Sequence, residues 1–290
     1  MRTLLSALFA IIAIVLTPIA VTAAWMDQQV VSEQGFVELA GPLGEDQDFQ
    51  SSLAEALSEH LSTQTGLPPE LNALVKPVIA ETVQSVSTLP DYPEAWDESL
   101  RRSHQMIFGD QSSVAESGQD GGAEGTATDD GLTLDIGPIV SLAVSSFSET
   151  IGADVDAPGA VPVEVGTGAE QELVQRLERV ASVGLPIAVV AGVFAIAALL
   201  VARVRSTTLS LMGLGVAVGG AALWLLMENY RAFVPDQSDG AEIARLFRDS
   251  LLARAADDFS AWSVFLAAGG TAVFVIGILV RAATRRDGTA

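Results

Sequence analysis

Asp129, Asp130 and Asp135 stand close together in the stretch TDDGLTLDIGP (Thr128–Pro138). Carboxylates grouped in this way could hold a hard cation such as calcium. They could also serve as the acid and base of a hydrolase working on the outer face of a membrane. The calcium-loop pattern that would make the first chemistry specific is missing from the sequence. Leu132, Leu134 and Ile136 alternate with Thr133 and Asp135, which reads as a short strand, and Gly137-Pro138 reads as a helix start. In that setting Asp135 faces solvent or the free N–H groups of the helix start, which its carboxylate could cap. Such a cap is worth about 1 kcal/mol. Asp129, Asp130 and Asp135 are the chain's candidate metal ligands; no cofactor and no catalytic residue are expected.

Other reactive types are scarce. Cysteine is absent, which excludes disulfides, thiol catalysis, Cys-ligated zinc and iron–sulfur clusters. The two histidines, His60 and His104, lie in helical patterns, where a lone His is most often a packed or rim residue. No G-x-S-x-G elbow and no phosphate-binding loop occurs, and Lys76 is the only lysine. Nucleic acid is excluded as a partner, because no basic patch offsets a net charge of −21.

The elements that must position these residues begin with four apolar runs: Leu4–Ala24, Leu185–Ala202, Thr207–Met227 and Ala261–Val280. None contains an ionisable residue, and each has about the 20 residues a helix needs to cross a hydrocarbon core. The fold class expected is a mainly α membrane protein with four transmembrane helices. An extracytoplasmic α-rich domain with a small β-strand pair joins them. The first run, at 1–24, reads as an uncut signal anchor; the rival is a signal peptide cut near Ala23 or Ala24.

Charge sets the expected orientation. Arg2, Arg203, Arg205, Arg281, Arg285 and Arg286 outweigh Asp287 in the segments assigned to the cytoplasm, 203–206 and 281–290 among them, by a net +5. Segment 25–184 carries −23 and segment 228–260 carries −3. Positive residues next to spans mark the cytoplasmic side. Both termini are therefore expected inside the plasma membrane, and 25–184 outside, between the spans at 1–24 and 185–202. The remaining spans are 207–227 and 261–280.

Within 25–184 the chain exits the membrane at Trp25 and Met26 and turns at Gly41–Gly44. Phe49, Leu53, Leu57 and Leu61 mark a first helix. Leu71, Leu74, Val75, Val78, Ile79, Val83 and Val86 mark a second, interrupted by Pro77. Tyr92, Trp96, Leu100 and Ile107 mark a third, with Gly109 as its C-terminal cap. Residues 110–130 are acidic and Gly/Ser-rich and read as a disordered loop. After the strand, Ile139, Leu142, Ala143 and Phe147 form a helix, and Val161–Val165 a second strand with Pro162 restricted to an edge. In 228–260, Ile243, Leu246, Phe247, Leu251 and Phe259 share one side of an amphipathic helix. It would pack under the large domain or lie on the outer membrane surface. The third span carries Gly213, Gly215, Gly219 and Gly220, and its Gly215-x3-Gly219 pair suits close helix packing. Contact between the chain's own spans is the first expectation. A homo-oligomer through Gly215 and Gly219 is the second.

Trp25–Phe36, YPEAWDESLRRSHQMI (Tyr92–Ile107), DDGLTLDIGPIV (Asp129–Val140) and the spans from Leu185 onward resemble, in their order, uncharacterised actinobacterial four-span integral membrane proteins. Those proteins carry an acidic extracytoplasmic helical domain. The resemblance implies a topology and an envelope setting, and no activity. The function expected is therefore a non-enzymatic envelope protein with an extracytoplasmic interaction or sensing domain. Its partners would be the lipid bilayer and a membrane or envelope protein. The alternatives are an accessory subunit of a transporter or channel, or an outer-face hydrolase using Asp129 and Asp135.

Overall fold

The computed structural model describes residues 2–64, 81, 84–108, 133–151, 159–164, 179–229 and 242–286. In chain order the helices are α1 (Arg2–Met26), α2 (Glu33–Ala40), α3 (Gln47–Gln64) and α4 (Tyr92–Phe108). Strand β1 (Thr133–Asp135), α5 (Gly137–Ile151), strand β2 (Pro162–Glu164), α6 (Gly184–Val201), α7 (Arg205–Glu228) and α8 (Glu242–Arg286) follow. The chain divides into two compact units. The first holds Met1–Gln28, Leu177–Pro235 and Ala255–Ala290; the second holds Gln29–Arg176 and Asp236–Arg254.

The first unit contains α1, α6, α7 and the C-terminal part of α8. Four helices of the chain are long and apolar enough to cross a membrane. Their large side chains point outward: Leu4, Leu8, Ile11, Leu185, Val193, Leu211 and Phe265 are all exposed. Small residues form the contacts. Ala10, Ala13, Ala20 and Ala23 of α1 are buried, as are Ala191 and Ala198 of α6. Small residues at contact faces suit helices in lipid, where association depends on close van der Waals packing and hydrogen bonds. The Ser6 hydroxyl donates to the Ala198 carbonyl across 2.9 Å. At the other end of the same pair, a Cβ on Gly184 would lie 2.9 Å from the Ala24 nitrogen. Helices α1 and α6 are therefore antiparallel.

The closest seam joins α7 and α8. A Cβ on Gly213 would stand 2.4 Å from the Phe274 nitrogen, and one on Gly220 2.6 Å from the Ala267 nitrogen. From the other side, Gly270 meets the Ala217 nitrogen and Gly277 meets Ser210. Gly213 and Gly220 are seven residues apart, as are Gly270 and Gly277, the spacing of a heptad seam. Gly215 and Gly219 do not form this seam. They face α1, where Cβ atoms would come within 2.6 Å of Ile14 and 3.6 Å of Pro18.

The second unit is built on an aromatic core of Phe36, Leu43, Phe49, Tyr92, Trp96 and Leu100. The Trp96 indole is 1% exposed and donates from Nε1 to the Ala40 carbonyl at 3.2 Å. Phe49 meets it edge-on at 5.7 Å and Phe247 at 6.5 Å. Leu246, Phe247 and Leu251 of α8 pack against this core, as does Leu53 of α3. Of the two roles expected for the amphipathic stripe in 228–260, the described residues take the packed one. They also extend without a break into the fourth apolar run, so loop and span are one helix, α8.

The segment after Trp25 departs from the sequence reading. Instead of a simple exit and turn, α1 continues to Met26 and passes into a π-helical turn, Asp27–Val31. Ser32 then caps α2, its hydroxyl accepting from the Gly35 N–H. Gly41–Glu45 is a 3-10 helix rather than an open turn. Asp46 caps α3, its Oδ1 accepting from the N–H groups of Asp48 and Phe49. The strand pair is antiparallel, with Thr133 opposite Glu164 and Asp135 opposite Pro162. Most of the second expected helix, the acidic loop 110–130, and the Gly109 cap lie outside the described residues.

Candidate functional site

Asp135 ends β1 and is 4% exposed, rather than facing solvent. Leu134, which points to the opposite face of the strand, is equally buried, so β1 is covered on both sides. The Asp135 Oδ1 accepts from the Gly137 N–H at 2.9 Å, at the start of α5, and from the Val161 N–H at 2.9 Å, just before β2. Its own N–H donates to the Ser103 hydroxyl of α4 at 2.9 Å. That hydroxyl in turn donates to the Ser99 carbonyl at 2.6 Å. One residue therefore ties together two strands and two helices.

Arg102 supplies the charge. Its Nη1 lies 3.9 Å from the Asp135 Oδ2 and donates to the Gly159 carbonyl at 3.0 Å. Its Nε donates to Glu98 Oε1 at 3.0 Å, and Arg101 pairs with the other oxygen of Glu98. These pairs, the Arg102 bond first, hold the Glu98 carboxyl below its ordinary range. Gly137 is required by proximity: a Cβ there would stand 2.9 Å from the Asp135 Oδ1 and 3.0 Å from the Ala160 Cα. Pro138 follows in the first helical turn, where its missing N–H leaves no helix bond broken.

A second buried ionisable group is His104. It is 5% exposed, stacked on Phe108 at 4.5 Å and tilted against Phe36 at 5.4 Å. Its Nε2 is 3.2 Å from the Val30 carbonyl in the π-helical turn. Burial pulls its pKa below the ordinary imidazole value, while the Val30 bond and the Glu33 charge oppose that shift. Burial also raises Tyr92 to about 12, and raises Asp97 from its ordinary value. The side chain of His60 lies outside the described residues.

One oxygen of the Asp135 carboxylate, Oδ1, accepts from two backbone donors. Among the described residues no three acids, histidines or cysteines gather at metal-ligating distance. Asp129 and Asp130, named with Asp135 as candidate ligands, lie outside the described residues. Sequence pattern pointed to the helix-start bond of Asp135. It missed Ser103, Arg102 and the second acceptor bond to Val161. Ser99 and Ser103 sit four apart on one helix face beside the Trp96–Leu100 stripe, which is the one signal that marks them as inward-facing.

Fold and site together define a mainly helical protein carrying four helices long and apolar enough to cross a membrane. No family model, no curated protein and no solved structure matches the chain.

Proposed function

We propose that the chain is a multi-pass plasma-membrane protein with both termini in the cytoplasm and an extracytoplasmic unit that binds a partner or senses its surroundings without catalysing a reaction. The actinobacterial four-span proteins it resembles are its proposed kin. One observation carries the non-enzymatic reading: the residue type most suited to chemistry, the Asp135 carboxylate, is buried and its Oδ1 accepts from two backbone N–H groups that join elements of the fold. The orientation is supported by the net +5 of the Arg-bearing segments against −23 in 25–184.

The cysteine-free sequence makes the orientation directly testable. Ser182→Cys and Ala283→Cys both introduce an exposed thiol, one at each end of the first unit. In intact cells an impermeant maleimide should label position 182 at once, and position 283 only after permeabilisation. The reverse pattern would sink the topology. For the binding role, photo-crosslinking residues at exposed Gln105 and Met106 should give discrete adducts in living cells. A uniform absence of adducts there would count against it.

A further inference from the structure

One end of the first unit gathers Arg2, Arg203, Arg205 and Arg281, with Arg179 at the other end, and three independent contacts locate the first. The Ser6–Ala198 bond places the start of α1 beside the end of α6. Gly215 against Ile14 and Gly219 against Pro18 set α7 parallel to α1, which brings Arg205 level with Arg2. Gly277 against Ser206 and Ser210 sets α8 antiparallel to α7, which brings Arg281 to the same level. The described acids of this unit, Asp27, Glu228, Asp257 and Asp258, all belong to the opposite end, where Asp258 accepts the Trp25 indole N–H at 2.7 Å. Among the described residues Arg2, Arg203 and Arg205 are exposed and have no carboxylate partner. Beside Arg2 lies a shallow groove of about 420 Å³ lined by Arg2, Leu4, Leu5 and Leu8.

A guanidinium at the mouth of a leucine-lined groove matches a phosphate joined to an acyl chain. Arginine binds phosphate oxygens with two parallel N–H bonds. The leucines are 44% to 77% exposed, which suits hydrocarbon and not water. A headgroup that carried its own ammonium would bring a positive charge against Arg203 and Arg205. We infer that this end of the bundle is a binding surface for anionic glycerophospholipid. The phosphate is held by Arg2 with Arg203 and Arg205 around it, and one acyl chain lies along Leu4, Leu5 and Leu8. This rests on the placement of the four helices in a bilayer and not on what the second unit binds, so the maleimide experiment above and the one below fail separately.

The test uses the full chain in detergent, titrated with phosphatidylglycerol or phosphatidylcholine, with bound lipids counted by native mass spectrometry. Each basic residue at an anionic surface contributes about fivefold. The first phosphatidylglycerol adduct should therefore form at a concentration at least about tenfold lower than the first phosphatidylcholine adduct. Arg2→Gln/Arg203→Gln/Arg205→Gln should remove that preference, while the three Arg→Lys replacements keep most of it. On the unaltered protein, added salt should narrow the gap between the two lipids. Inorganic phosphate should leave the lipid bound, because it supplies no acyl chain. Equal binding of the two lipids, a preference untouched by the triple Gln variant or by salt, or displacement of the lipid by inorganic phosphate would each overturn the inference.

Discussion

At the scale of single residues, Asp135 and His104 carry the clearest consequences. Removing the Asp135 carboxylate strands the N–H groups of Gly137 and Val161. Orphaned buried donors cost about 1–3 kcal/mol each. Asp135→Ala should therefore destabilise the protein by about 2–4 kcal/mol, more than the simple cap that its sequence position implies. Asp135→Asn keeps an acceptor oxygen in place and should lose less. Thermal unfolding followed by tryptophan fluorescence checks both, and an unchanged midpoint for Asp135→Ala would remove the residue from its structural role. His104 makes stability depend on pH. Its folded pKa lies below the unfolded value of 6.5, because burial opposes the charged ring. Between those two values the unfolded chain binds more protons, so stability is complete above about pH 6.5 and falls as pH drops toward the folded value. His104→Gln keeps a donor toward Val30 and removes the titration. The drop in unfolding midpoint from about pH 7.5 to about pH 5 should then be smaller than in the unaltered protein.

At the scale of elements, glycines separate close contacts from open ones. A Cβ on Gly270 would stand 2.4 Å from the Ala217 nitrogen, whereas one on its neighbour Gly269 would meet nothing within 4 Å. Gly270→Ala should cost roughly 1–3 kcal/mol as α7 and α8 are pushed apart, and Gly269→Ala should be silent. Unfolding midpoints of the two purified variants would show it, and equal midpoints would contradict the seam. In the second unit, Gly44→Ala would place a methyl 2.5 Å from the Trp96 ring and should cost a similar amount. How much of this was readable beforehand depended on how local the cause is. The four apolar helices follow from runs free of charge, and α4 follows from Tyr92, Trp96 and Leu100 recurring every four residues. Helix α2 is only eight residues long, so two turns of Phe36, Leu39 and Ala40 gave no periodicity to read. The third span holds several glycines, and sequence alone does not say which meets which neighbour. The adjacent Gly219 and Gly220 lie against α1 and α8 respectively. The burial of Asp135 depends on Gly159–Val161, far along the chain, which no local pattern around LTLDIGP contains.

At the scale of the whole molecule, the governing feature is the separation of charge along the chain. In the proposed topology the apolar helices drive insertion, but they are equally apolar in both directions, so orientation must come from the ends. The basic residues of the assigned cytoplasmic side are divided among three separate segments: Arg2, the Arg203–Arg205 turn, and Arg281, Arg285 and Arg286 in the tail. Packing brings the first two segments and Arg281 to one end of the first unit. In the proposed topology the orientation is set three times over and resists the loss of any one part. Arg203→Gln/Arg205→Gln leaves four arginines in the assigned cytoplasmic segments, and orientation should hold. With Ser182→Cys as reporter, intact cells should still be labelled by impermeant maleimide as readily as in the unaltered background. A loss of labelling would mean that the turn between α6 and α7 alone sets the orientation. Retained labelling would also establish that a change in lipid preference caused by those two substitutions arises at the basic end of a correctly inserted bundle.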